Sequence, residues 1–250
     1  MSDFTWNAAY YSDLQSLYAL LVVPLAFLAW RLASPPDLKT AEVPPAARFV
    51  AMLTLVFAFE TMLDPVATGP LKRSAAIDGT IFATLIPFLF VLLGDLRVLL
   101  LAIGVAKPER STGELLRWAG AMTLIVPIAT GVLYGGLRFL VPDIHGQVMW
   151  MIYEFGFLCL CVYLSRVWLP ENAKGAWAAE TTRYLRAIFG YSAAYYALWF
   201  IADVFIVVAD LDLGWAIRIV PNQLYYAFWI PFAYWRFFSA ASASTEKAAR

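Results

Sequence analysis

Two carboxylates stand four residues apart in the apolar run FAFETMLDPVATGP: Glu60 and Asp64, just ahead of Pro65 and of Gly69-Pro70. A spacing of four puts both on one face of a helix. Other apolar runs are interrupted in the same way by Asp78, Glu154 and Asp203. A carboxylate inside a bilayer costs roughly 2.5–3.5 kcal/mol on insertion scales unless it is paired, protonated or wetted. Its short side chain cannot reach the headgroups as Lys and Arg do. The chemistry on offer is the capture and release of a proton, a small cation or a polar solute. Further along, Arg218, Asn222, Tyr225, Trp229 and Arg236 step by four, three, four and seven, a polar and aromatic stripe joined by Gln223. Within this set, Glu60, Glu154 and Asp203 carry the functional reading. Asp64, Asp78, Asp210 and Arg218 lie at depths where headgroups reach.

Three prolines add to the picture. Pro lacks an N–H, so Pro87, Pro221 and Pro231 free the carbonyls of Ala83, Ile217 and Ala227, each four residues earlier. Such carbonyls bind ligand, ion or water, or mark a packing kink. Elsewhere, in LLGDLRVLL, Asp95 and Arg97 are two apart and face different sides of a helix. Arg97 is expected to snorkel, and Asp95 to pair with Arg236 as a structural latch on the cytoplasmic side.

Much chemistry is excluded by type. His145 is the single histidine, so paired haem ligands, histidine-rich zinc or di-iron sets and HExxH are absent. There is no GxSxG, and no lysine in any apolar run to carry a Schiff base. No cofactor or metal is expected. The least unsuited enzyme reading is a pair of intramembrane carboxylates, Asp95 after Gly94 with Asp203, but LLGD lacks the first glycine of a GxGD pattern.

The elements that must position these residues are long apolar helices. The 250 residues are 62% hydrophobic and 14% charged, with a mean hydropathy of +0.70. Soluble domains sit nearer half apolar and a quarter charged. Runs long enough to cross ~30 Å of hydrocarbon occur at 15–32, 49–67, 79–105, 118–140, 148–169, 185–209 and 215–238. The expected fold is therefore all-α, one polytopic membrane domain over 1–250 with seven spans. With the N-terminus outside, fourteen of the eighteen basic residues fall in cytoplasmic segments, which predicts N-out and C-in. MSDFTWNAAYYSDL lacks a basic leader, so no cleavable signal is expected. Cys159 and Cys161 lie two apart on one helix and cannot bridge each other. The net charge of +0 gives no reason to expect nucleic acid.

An internal echo bears on architecture. DGTIFATLIPFLF, from Asp78, and NQLYYAFWIPFAY, from Asn222, share a polar opener, an aromatic at the fifth position, Ile-Pro-Phe and a final aromatic. Segments 15–105 and 148–238 then read as parallel repeats joined by a linker helix at 118–140, or as chance likeness between apolar helices. In topology this 3+1+3 pattern resembles the sugar-efflux and PQ-loop transporters, which would imply a binding site between the repeats near the midplane. PNQ stands in the last span where the family's Pro-Gln dipeptide would be, and the second span has no counterpart.

The leading expectation is a membrane transporter or channel for a small cation or proton-coupled polar solute. Its acidic, outward-facing cavity would be lined by the second, third, fifth, sixth and seventh spans. The alternatives are a non-catalytic subunit or receptor-like sensor of a membrane complex and, third, an intramembrane enzyme using paired carboxylates. The partners expected are the lipid bilayer, the small solute, and either further copies of the chain or a membrane partner subunit. Compact loops suggest a bacterial inner membrane.

Overall fold

A computed structural model describes residues 4–36, 43–172 and 179–248, with no side-chain description beyond 239. Every regular element among the described residues is helical. A short helix, α1 (Trp6–Tyr10), precedes seven long ones. These are α2 (Leu14–Ala33), α3 (Pro45–Leu71), α4 (Phe82–Ala106), α5 (Thr112–Leu140), α6 (Gln147–Asn172), α7 (Ala179–Val207) and α8, which runs continuously over 213–248. Helices are the solution open to an apolar chain in lipid, because they satisfy their own backbone polar groups.

Helices α2 to α7 are each long and apolar enough to cross a membrane. The seventh expected span, 215–238, is helical but is not one of these six. Arg218, Pro221, Asn222, Gln223 and a run of Tyr and Trp make α8 much less apolar than its neighbours. The other helices run a few residues past the expected spans, as with Pro45–Leu71 for 49–67. Their flanking residues continue the backbone ladder beyond the apolar run. The exceptions are α4, which starts three residues late because 72–81 folds as a series of turns, and α7, which ends two residues short of the expected 209.

The bundle is apolar outside and mixed inside. On α5, Ile128, Val132, Phe139 and Leu140 are exposed, and this helix is the least buried of the six. Polar side chains turn inward: Thr54, Thr61, Asp95, Arg97, Ser192 and Asp203 are all buried. At the centre runs the second half of α4, where Arg97 to Ala106 are buried without a break. It packs against α3, α5 and α7. The chain permits that approach at Gly104, where an added Cβ would lie 2.1 Å from the Phe49 ring. Tyrosine hydroxyls tie the other helices together. Tyr184 and Tyr191 of α7 donate to the carbonyls of Ala233 and Leu224 on α8, at 3.1 and 3.0 Å. Interhelical hydrogen bonds of this kind average about 0.6 kcal/mol in a membrane protein.

Four π-helical turns interrupt the long helices, at Leu14–Tyr18, Ala67–Leu71, Leu164–Trp168 and Gln223–Phe228. Three of them lie beside or contain a proline: Pro70, Pro170 and Pro221. Such turns widen the spiral and rotate the residues that follow. In α8 the consequence is that Tyr225 and Tyr226 both reach one cavity, which the simple four-three-four stripe does not anticipate.

Gly104→Val is expected to lower the unfolding free energy of the detergent-purified protein by about 1–3 kcal/mol through overpacking. Gly131→Ala, at a position with nothing within 4 Å of the new Cβ, should not lower it. Equilibrium unfolding followed by circular dichroism measures both.

Candidate functional site

The site begins with one arginine. Arg218, in the first turns of α8, reaches Asp203 of α7 in a close ion pair and Glu154 of α6 at 3.2 Å. Asp203 is fully buried and also accepts both bonds of the Gln147 amide, at 3.0 and 3.1 Å. One guanidinium thus faces two acids from two other helices. Breaking such a buried pair costs about 3–5 kcal/mol, because the remaining charge is left without compensation.

Around this ion group the N-terminal helix is docked. The backbone N–H groups of Trp6 and Asn7, at the start of α1, donate to the Asp212 carboxylate at 2.5 and 3.0 Å. Tyr10 receives hydrogen bonds from Asn222 Nδ2 at 3.2 Å and Arg218 Nε at 3.4 Å. Trp199 Nε1 donates to Asn222 Oδ1 at 2.9 Å. Tyr10 and Tyr11 both pack on Trp215, with ring centroids 5.3 Å apart. Helix α1 and Tyr11 therefore cap one end of the bundle next to the ion group.

Beneath them lies a cavity of about 240 Å³. Its wall draws on Glu154 and Tyr153 from α6, Tyr196 and Trp199 from α7, and Arg218, Asn222, Tyr225 and Tyr226 from α8. Helices α3 and α4 contribute Asp64, Thr68, Pro87, Val91 and Asp95. Tyr10, Tyr11, Gln147 and Trp150 complete it. Asp95 is held by two tyrosine hydroxyls, from Tyr153 and Tyr196, in short hydrogen bonds, with the Tyr225 hydroxyl at 3.4 Å. Tyr225 can approach because Gly94 has no side chain. A Cβ there would fall 1.8 Å from the tyrosine oxygen, which sits 3.2 Å from the Val91 carbonyl.

A second guanidinium lies behind Tyr225. Arg97 is 1% exposed and has its charge 4.4 Å from the Tyr225 ring centroid and 5.0 Å from that of Trp229. It donates to Thr61 Oγ1 at 3.0 Å and to the Tyr225 carbonyl at 2.5 Å, in the π turn of α8. Glu60 is its acid, at 3.8 Å.

Of the residues singled out from sequence, Asp64, Glu154, Arg218, Asn222 and Tyr225 meet on the cavity wall, with Asp203 directly behind Arg218. Glu60 belongs to the neighbouring Arg97 pair rather than to the wall. Trp229 is fully buried and donates to Ser192 Oγ at 3.3 Å. Gln223 is half-buried and outside the wall, because the π turn presents Tyr225 and Tyr226 instead. Asp78 is exposed on the turns before α4, where it accepts from Gly79 N at 3.0 Å. The expected latch of Asp95, Arg97 and Arg236 is not formed. Asp95 points to tyrosines and Arg97 to Glu60, and no ion pair joins Asp95 to Arg236 among the described residues. Arg97 does not snorkel, because Thr61, a backbone carbonyl and two aromatic rings satisfy it in place.

Gln147, Tyr153, Tyr196, Trp199 and Tyr226 were not singled out from sequence. Tyr153, Tyr196 and Tyr226 carry one signal, tyrosines inside long apolar helices rather than at their ends, where amphipathic rings prefer the headgroup layer; Gln147 and Trp199 carry none. Comparison with known protein families, with curated proteins and with solved structures returns no match, so the site is read on its own geometry.

Arg218→Gln should destabilise the protein by about 3–5 kcal/mol, since it leaves Glu154 and Asp203 facing each other without the cation. Arg73→Gln, which breaks the exposed pair with Asp13, should cost about 0–1 kcal/mol. Parallel unfolding titrations of the two variants measure the difference.

Proposed function

We propose that this chain is a transporter or channel for a small cation or a proton-coupled polar solute, with the cavity beside Arg218 as its binding site. The supporting observation is a charge surplus. Among the described residues, Glu60, Asp64, Asp95, Glu154 and Asp203 are accompanied by two ion-paired guanidiniums, those of Arg97 and Arg218. A surplus of three acids in an apolar bundle is stable only with protons, water or a bound cation. Two of the surplus acids, Asp64 and Asp95, have no ion-pair partner among the described residues and lie on the cavity wall.

In this reading α8 is the seventh span, and its polar face is tolerable because it packs inward on α2, α3 and α7. The N-terminus is outside and the C-terminus inside, so the cavity under α1 opens toward the extracytoplasmic face of a bacterial inner membrane. The whole chain is one membrane domain, with α2–α4 and α6–α8 as parallel repeats. The peripheral position of α5 suits its role as their linker. Below the cavity, Arg97, Trp229 and the buried half of α4 form the closed side. Transport requires that side to part while α1 closes the other.

In proteoliposomes of the full chain, a pH or cation gradient should drive solute or proton flux, and Asp64→Asn should slow the initial rate by at least about tenfold. No flux under any such gradient would instead favour a non-catalytic subunit. Orientation is read separately in a Cys159→Ala background. Ala76→Cys, before α4, should react with an impermeant maleimide added to intact cells, and Glu109→Cys, before α5, only after permeabilisation.

A further inference from the structure

The cavity wall has a second property besides its acids. Eight of its seventeen residues are Tyr or Trp, and only Pro87 and Val91 are aliphatic. Aromatic rings attract a cation through the negative potential of their faces, and an aromatic enclosure is a general way of holding an organic ammonium group. An apolar solute would be held as well by Leu or Ile, which do not line this cavity. An anion is disfavoured, because Arg218 already meets two carboxylates.

A bare metal ion fits poorly too. Hard cations need several oxygen ligands converging on one point. Among the described residues no three acidic, histidine or cysteine side chains gather closely enough to do so. Asp64 and Asp95 come from different helices, and the Asp95 oxygens are already engaged by tyrosine hydroxyls. One further polar atom awaits a partner: Oε2 of Glu154, a residue 3% exposed on the cavity wall, receives no hydrogen bond. A volume of about 240 Å³ lies below the usual 300–1,000 Å³ of pockets for drug-sized ligands. The occupant is small.

We infer that the ligand of this cavity is a small alkylammonium ion, its positive charge set among Asp64, Asp95 and Glu154 and its alkyl groups against the ring of Tyr and Trp. The inference rests on the reading of this cavity as the transport site. The aromatic residues select the spread charge of an ammonium group over a compact metal ion, and the acids select it over a neutral molecule of the same shape.

The test is direct binding to the detergent-purified full chain, read by quenching of tryptophan fluorescence and by calorimetry. The probes are tetramethylammonium chloride, neopentyl alcohol as its uncharged shape match, and sodium chloride at equal ionic strength. Tetramethylammonium should saturate, with neopentyl alcohol and sodium at least about tenfold weaker. Asp64→Asn and Trp199→Leu should each weaken tetramethylammonium by at least about tenfold while keeping the helical circular dichroism and monodisperse elution of the parent. The comparison among probes uses the unmodified chain, so it stands even if a variant fails to fold. Equal binding of neopentyl alcohol, saturation by sodium in preference, or no saturable binding of tetramethylammonium would overturn the inference. Proton or sodium flux in liposomes without tetramethylammonium binding would remove the ligand assignment and leave the transport reading. Binding without any flux would do the reverse.

Discussion

A guanidinium shared by two acids in an apolar bundle is the contact on which the rest of this structure depends. Arg218 brings together α6 through Glu154 and α7 through Asp203, and its own helix α8 is drawn inward with it. In water such a group would be worth little, since exposed pairs contribute about 0–1 kcal/mol. Between helices, loss of one member leaves a buried charge without compensation, which converts a local contact into a constraint on three helices. Gln147 and Tyr10 complete the arrangement by occupying lone pairs and donors that would otherwise be unsatisfied.

The second guanidinium works differently. Arg97 is enclosed by two aromatic rings, a threonine hydroxyl and a backbone carbonyl, and its carboxylate neighbour Glu60 stands at 3.8 Å rather than in close contact. Cation–aromatic contacts strengthen as water is removed, to about 2 kcal/mol or more, so a guanidinium can be held in a bundle interior without a tight acid partner. The carbonyl it uses lies in the π turn of α8, where the wider spiral lets a backbone oxygen look outside its own helix. Tyr225 then serves both sides at once. Its ring covers Arg97, and its hydroxyl lies beside Asp95 over the space left by Gly94. Tyr225 therefore contacts a buried cation and a buried acid at once, with its ring on one and its hydroxyl beside the other.

The first helix is held by only a few contacts. It has five residues, too few to be stable alone, and is held by the Asp212 carboxylate, the Tyr10 contacts and the stacking on Trp215. Those bonds are few and lie at the rim, whereas the bonds around Asp95 are buried. Local stability is expected to fall from the centre of the bundle toward this cap, as it does wherever buried contacts thin out.

The residue types determined the class of molecule. Six runs of apolar residues become helices of membrane-crossing length, and acids inside such runs must find partners or water wherever the chain folds. Glu60, Glu154 and Asp203 could therefore be picked out by hydropathy alone. Partner choice could not. Depth along the spans puts Asp95 and Arg236 on one side of the bundle, and the length of Arg97 suits it to the headgroups, yet neither contact forms among the described residues. How α4 sits against α8 and α3 depends on the close approaches at Gly94 and Gly104, and which face of α8 lines the cavity depends on a π turn that no periodicity announces. Hydrophobicity is a property of each residue and survives in the sequence, whereas the pairing of buried charges is set by the angles between helices. Those angles exist only after the helices have packed together.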